Sequence, residues 1–209
     1  MATVFSIHPQ NPQTRTIEQI VERLRAGAVM LYPTDTVYGI GCDLQSKAAI
    51  EKVRQIKQLS SDKPLTFLCS SLSNISLYAV VNDNNYRLMK SLIPGAYTFI
   101  LPTTKLVPKI VMNPKRKTTG IRVPDHLLCQ KLLQSLGNPI VSTSANWQKD
   151  EVYPSYLTKP ELFDYFDKIV DLIIDDDSDL QYETSSILDL SGEKPIVVRA
   201  GLGDVSFLV

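Results

Sequence analysis

Two apolar runs, residues 28–32 (Ala-Val-Met-Leu-Tyr) and 37–42 (Val-Tyr-Gly-Ile-Gly-Cys), are separated by only Pro33-Thr34-Asp35-Thr36. Both read as buried strands, and four residues cannot make the crossover of a dozen or more that parallel neighbours require. Elsewhere strand and helix patterns alternate. Alternation combined with so tight a corner predicts an α+β (mixed α/β) fold built on a mixed parallel and antiparallel sheet with helices. Polar loops at the ends of such strands are the places to look for ligands.

The remaining elements follow from periodicity and punctuation. Thr16 with Gln19 has capping-box spacing, Ile17, Ile20, Val21 and Leu24 then share a helical face, and Gly27 stops that helix. Ser46 is placed to cap a second helix with Ala49, Ile50, Val53 and Ile56 inward, running out over residues 57–61. Further helices are predicted at 82–93 and 126–136, the latter ending at Gly137. Strands are predicted at 64–69, 97–101, 119–123, 139–142, 170–174, 186–190 and 196–199, with 142–146 as a polar loop.

At 209 residues and 44% hydrophobic composition, the chain suits one domain, 1–209, that folds without metal or disulfide. No apolar run is long enough to span a bilayer, and the first residues lack a basic start followed by an apolar stretch, so a cytoplasmic protein with no membrane partner is expected. Cys42, Cys69 and Cys129 form no CxxC pair and read as reduced, buried thiols, while two histidines make a zinc site an unpromising reading and no metal site is expected. The formal charge is zero but uneven. Residues 84–124 carry eight basic side chains and no acid, and residues 150–189 carry twelve acids against two lysines. Taken as a cluster, the basic segment predicts a face that welcomes anions; each single lysine in it reads better as an ordinary solvated charge.

Four constellations can carry chemistry. The first is residues 32–43, where two threonines follow Pro33 and Gly39 and Gly41 permit close approach; taken alone it is an ordinary turn. The second is Lys57 with Lys63, also readable as cations at a helix C-terminus. The third, Ser142-Thr143-Ser144-Ala145-Asn146, is a dense set of donors for phosphate or carboxylate oxygens. The fourth is arginine beside buried strands, Arg122 and Arg199, each of which needs an anion or carbonyl partner such as Asp189. There is no Walker loop, no GxGxxG and no Ser-His-Asp pattern. The inventory suits anionic substrates and a reaction run by positioning and charge stabilisation.

Taken in order, these segments resemble the YrdC-like family of threonylcarbamoyl-AMP synthases. The matching pieces are Tyr-Pro-Thr-Asp-Thr-Val-Tyr-Gly-Ile-Gly-Cys-Asp from Tyr32, Lys57, Asp62-Lys63-Pro64-Leu65, Pro94-Gly95-Ala96-Tyr97-Thr98-Phe99, Ile121-Arg122-Val123-Pro124-Asp125-His126, the run from Ser142 to Asn146, Ser185-Ser186-Ile187-Leu188-Asp189 and Val197-Val198-Arg199. The resemblance covers essentially the whole chain and implies a strongly twisted mixed sheet around a large concave cavity. It implies an enzyme, a nucleotidyltransferase that makes threonylcarbamoyl-adenylate from L-threonine, bicarbonate and ATP, with Mg²⁺ held largely by the phosphates and pyrophosphate released, for t6A modification of tRNA. By the same resemblance Thr34, Arg122, Ser142 and Ser185 belong to the threonine side. Lys63, Thr118, Ser144, Asn146 and Arg199 belong to the nucleotide side, and Lys57 faces the reacting phosphates. Lys57, Ser144 and Asn146 are the catalytic candidates.

Two departures stand out. The family's Lys-x-Arg reads Lys57-Gln58-Leu59 here, and a leucine cannot give a phosphate the charged fork of an arginine. Arg54, one turn earlier, and Arg116 are the arginines available to replace it. Trp147-Gln148-Lys149 follows Asn146 where a Ser-Gly pair is usual, and Pro94–Phe99 and Lys115–Pro124 are closer to the YciO-type branch. Two other readings stay open: a protein of this fold that binds double-stranded RNA or tRNA with little or no synthase activity, and a carbamoyl-adenylate enzyme acting on another small amine.

Overall fold

In a computed structural model, which describes residues 1–60, 63–146 and 157–208, the chain runs β1 (Thr3–Ser6), α1 (Thr14–Arg25), β2 (Met30–Tyr32), β3 (Gly39–Asp43), α2 (Lys47–Ile56), β4 (Thr66–Leu68), α3 (Leu72–Tyr78) and α4 (Asp83–Leu92). It continues through β5 (Tyr97–Pro102), β6 (Thr118–Arg122), α5 (Leu127–Leu136), β7 (Ile140–Ser144), α6 (Lys159–Phe166), β8 (Leu172–Asp175), β9 (Ser186–Asp189) and β10 (Ile196–Arg199). The strands form one ten-stranded sheet in the order β1-β8-β2-β3-β7-β4-β6-β5-β9-β10. The tight corner gives an antiparallel β2–β3 pair, as its length requires. Four parallel pairs (β1–β8, β2–β8, β4–β6, β5–β9) stand among five antiparallel ones, so the sheet is mixed as predicted.

Strand alternation divides the apolar side chains between two layers. Met30, Tyr32, Leu172 and Ile174 face one side, where α1 (Ile17, Ile20, Val21, Leu24) and α5 (Leu128, Leu132, Leu136) cover them. Leu31, Ile40, Phe67, Ile121, Phe99 and Ile173 face the other, against Ile50 and Val53 of α2, Ile75 of α3, Met89 of α4 and Leu162 and Phe166 of α6. Each fully buried aliphatic side chain in these layers contributes roughly 1.5–3 kcal/mol. Among the described residues, no helix is long and apolar enough to cross a membrane.

Several local expectations change. The capping box at Thr16 does not form: α1 begins at Thr14 behind Gln13, which makes no side-chain cap. A capping box does occur at α6, between Thr158 and Glu161 with Pro160 in the first turn. Ser46, Asn82 and Gly137 do cap or stop their helices, Gly137 at φ 75°. β1 and α3 went unpredicted because β1 is largely exposed and α3 buries only Ile75, so neither leaves a clear hydrophobic period; α6 was missed despite its capping box. The polar segment from Ser142 is not simply a loop. β7 runs on through Ser144, paired Gly41↔Ser142 and Gly39↔Ser144, so alternation fixes which way both serines point.

The acidic run after β8 is anchored. Asp176 is buried and meets His126 Nε2 at 3.1 Å, the Ser178 hydroxyl at 2.6 Å and the Ser178 N–H at 3.2 Å. Burial pushes its carboxyl up, but the hydrogen bonds from His126 and Ser178 outweigh it and the net shift is downward. A carboxylate held below its unfolded pKa stabilises the fold above that value, and the contribution is lost as pH falls through the folded pKa. Asp176→Asn is therefore expected to lower Tm at neutral pH and to lose less Tm than the parent on acidification between about pH 5 and pH 2. Parallel Tm–pH curves would show that Asp176 carries no such term.

Candidate active site

The layer under α1 and α5 takes in Tyr32, Ile140 and Leu68 and stops there. The next residues on the same sheet face, following the register across β6, β5, β9 and β10, are Arg122, Thr98, Ile187 and Arg199. Beside that row runs a second, Ser142, Thr66 and Gly120. This part of the sheet face, which no helix covers among the described residues and which bears serine, threonine and arginine, is the floor of a cavity of about 260 Å³.

Nine of the ten predicted site residues line this cavity: Thr34, Lys57, Lys63, Arg122, Ser142, Ser144, Asn146, Ser185 and Arg199. Thr118 does not; it is buried at the far end of β6 from Arg122, paired with Pro102. Leu59 lines the cavity too, so an apolar side chain stands beside the lysines. No carboxylate is among the lining residues described. Asp62 and Trp147-Gln148-Lys149 lie outside the described residues.

The cations are held in place by the protein. Lys57, the C-cap of α2, reaches across to the Asn146 side-chain oxygen and main-chain carbonyl, joining the helix end to the segment after β7. Arg122 is buried and donates from Nη1 to Thr36 Oγ1 at 2.7 Å and from Nε to the Gly95 carbonyl at 3.3 Å. Its Nη2 lies 2.7 Å from Asp35 Oδ1. That contact is an ion pair outside hydrogen-bonding angles, and both atoms are buried. Asp35 Oδ2 accepts the Asp125 N–H. Arg199 donates twice to the Ser185 carbonyl, at 2.7 and 3.1 Å, and the Ser185 hydroxyl meets Thr98 Oγ1 at 2.8 Å. The Thr34 hydroxyl is spent on its own turn: it donates to the Val37 carbonyl and accepts the Thr36 N–H.

These contacts correct four expectations. Asp189 partners neither cavity arginine; it pairs with Arg116 at 2.6 Å, and that pairing keeps Arg116 out of the cavity wall. Arg54 is no substitute for the missing arginine either, because its guanidinium is committed to the carbonyls of Ser60, Lys63 and Ile110. It braces the loop that carries Lys57, Leu59 and Lys63. Of the eight basic residues in 84–124 only Arg122 reaches the cavity, whose other cations come from elsewhere in the chain. Reasoning from sequence also missed Asp35, Thr36 and Thr98. The signal for Asp35 was available: an arginine flanked by buried strand needs an anion, and Asp35 is one of only two acids in the matched corner.

The cysteines are not nucleophiles in waiting. All three are free and buried, and burial with the nearby Asp43 pushes the Cys42 thiol up to about 12.

Residues 22–201 match the family model for Sua5/YciO/YrdC proteins, described as "Telomere recombination". The chain belongs to that family. It is 43% identical over 205 residues to the Escherichia coli K12 protein named "Uncharacterized protein YciO", covering 98% of both chains. The crystal structure of E. coli YciO superposes with a TM-score of 0.93 over the whole of both chains, at 42% identity. A Vibrio vulnificus protein named threonylcarbamoyl-AMP synthase is 35% identical over 133 residues, 62% of this chain and 71% of that one. The crystal structure of P. abyssi Sua5 complexed with L-threonine has a TM-score of 0.85 at 24% identity, covering 96% of this chain and 58% of that one; this likeness is one of fold. The family and the YrdC-type fold stand as the sequence predicted.

Proposed function

We propose that this chain, acting as one domain, is a threonylcarbamoyl-AMP synthase-like nucleotidyltransferase. The observation that carries the reading is the cavity lining: Lys57, Lys63, Arg122 and Arg199 around Ser142, Ser144 and Asn146, with no carboxylate lining it among the described residues. Such a site suits a polyanion bound together with a small acid. The family's synthases, by their name, make the product that this inventory fits.

In this reading the threonine amine and bicarbonate form a carbamate with loss of water. A carbamate oxygen attacks the α-phosphorus of ATP; the new P–O bond forms as the bond to the bridging oxygen breaks, and pyrophosphate leaves with the electron pair. Lys57 and Lys63 offset the charge that spreads over the phosphoryl oxygens, Asn146 orients Lys57, and Ser144 adds a hydroxyl donor. Arg122, Ser142 and Ser185 receive the amino acid. Among the described residues no cluster of histidine, cysteine or carboxylate could hold a metal ion, and in this reading Mg²⁺ would arrive on the phosphates of ATP. Leu59 leaves the phosphates one charged fork short of the family pattern, and nothing described among the lining residues restores it.

Titration calorimetry tests the binding half of this proposal. ATP is expected to bind to the parent protein and to weaken by about tenfold or more in Lys63→Ala. L-threonine is expected to bind without that loss. Unaltered ATP affinity in Lys63→Ala would remove this lysine from the site. Retarded migration with tRNA at low salt, in a protein that binds neither ATP nor L-threonine, would favour the RNA-binding reading.

A further inference from the structure

The Tyr32 ring is fully buried on β2, yet its hydroxyl reaches Ser142 Oγ on β7, two strands away, at 2.5 Å. It crosses β3 over Gly39 and Gly41. A Cβ on Gly41 would stand 2.8 Å from Tyr32 Cε1, and one on Gly39 would stand 3.0 Å from the same carbon and 3.2 Å from Ser142 Oγ. The two glycines of the Tyr-Gly-Ile-Gly run therefore make room for a tyrosine ring, and Gly39 lines the cavity as well. Every part of the arrangement serves one contact, between a buried phenol and a cavity serine.

The direction of that hydrogen bond follows from two facts. A phenol is a far stronger acid than an aliphatic alcohol, and burial, the largest influence on Tyr32, pushes its pKa up further, so it keeps its proton. Among the described residues the Tyr32 oxygen has no acceptor other than Ser142, and a buried O–H without an acceptor is rare in folded proteins. The nearby Cys129 thiol is turned away, toward the Pro33 carbonyl. Ser142, by contrast, lines the cavity and makes no other side-chain hydrogen bond among the described residues.

We propose that Tyr32 is a positioning residue: it donates to Ser142 Oγ and so leaves the serine's own proton to be donated into the cavity, to a carboxylate or carbamate oxygen. The identity of that oxygen rests on the function proposed above; the polarity of the Tyr32–Ser142 pair does not. By occupying one of the two Ser142 lone pairs, Tyr32 turns the serine's proton toward the ligand, on the cavity wall that also carries the guanidinium of Arg122. A site polarised in this way favours an anionic oxygen over a donor group.

Two experiments test it. L-Threonine titrations of the parent, Tyr32→Phe, Ser142→Ala and the double variant form a cycle. Tyr32→Phe keeps the ring over the glycines and is expected to weaken binding by about three- to tenfold, and Ser142→Ala by about tenfold. The double variant is expected to match Ser142→Ala within about twofold, because the phenol acts only through the serine. Additive losses would overturn the proposal, as would unchanged affinity in Tyr32→Phe. Neutron diffraction from the deuterated, ligand-free protein decides the polarity directly: a deuteron on the line from Tyr32 Oη, with that of Ser142 turned to the cavity, is expected. The Ser142 deuteron pointing at Tyr32 would overturn it. A parent protein that fails to bind L-threonine would count against the proposed function, while the neutron map would still decide the hydrogen bond.

Discussion

Lys57→Ala is expected to lower AMP-forming turnover of ATP by about 10²- to 10³-fold, the loss typical of removing one charge-stabilising donor. The side chain leaves the C-cap of α2, where backbone carbonyls already favour a cation, and is steered by both oxygens of Asn146. Its ammonium is thus delivered into the cavity by two elements at once, and Leu59 next to it cannot substitute. Asn146→Ala is expected to cost less, about tenfold, because Lys57 persists but loses its guide. Turnover within about threefold of the parent in both variants would show that the reacting phosphates lie elsewhere.

The second large effect concerns folding. Arg122→Met removes a buried cation and leaves the charge of Asp35 uncompensated; the two side chains are 8% and 13% exposed. Breaking a pair of this kind costs about 3–5 kcal/mol. In a protein of this size that corresponds to a fall in Tm of roughly 10 °C. The double variant Arg122→Met/Asp35→Asn is expected to recover part of the loss, since the orphaned charge is gone. Equal Tm values for the single and double variants would mean that Asp35 and Arg122 are not coupled. L-Threonine binding is expected to be lost in both, because the guanidinium is the principal cation on the amino-acid side.

Much of this site was legible before any coordinates, because its residues sit in short polar corners that interrupt apolar strands. Lys57, Ser142, Ser144, Asn146, Ser185 and Arg199 are spread over more than a hundred positions; the strand order β7-β4-β6-β5-β9-β10 gathers all but Lys57, which reaches in from the end of α2. What sequence could not supply was direction. Thr34 lines the cavity, yet its hydroxyl proton goes to the Val37 carbonyl of its own turn; Arg54 reads as a phosphate arginine and is a brace for carbonyls. Thr118 was carried over by resemblance, but it lies at the far end of its strand, away from Arg122. Gly39 and Gly41 signalled close approach correctly, but only the three-strand geometry shows that the Tyr32 ring is what approaches. Charge counted along the chain was the poorest guide, since pairing across the sheet, as in Arg116–Asp189, removes residues that the count includes.

The most direct test of the proposed reaction is to incubate the purified protein with ATP, Mg²⁺, L-threonine and ¹³C-bicarbonate, omitting each in turn, and to follow pyrophosphate release together with the mass of the nucleotide product. Pyrophosphate released only from the complete mixture, with a threonylcarbamoyl-adenylate that carries the bicarbonate label, is expected. Pyrophosphate release that is indifferent to L-threonine or bicarbonate, or no release from a protein that binds both ATP and L-threonine, would contradict it.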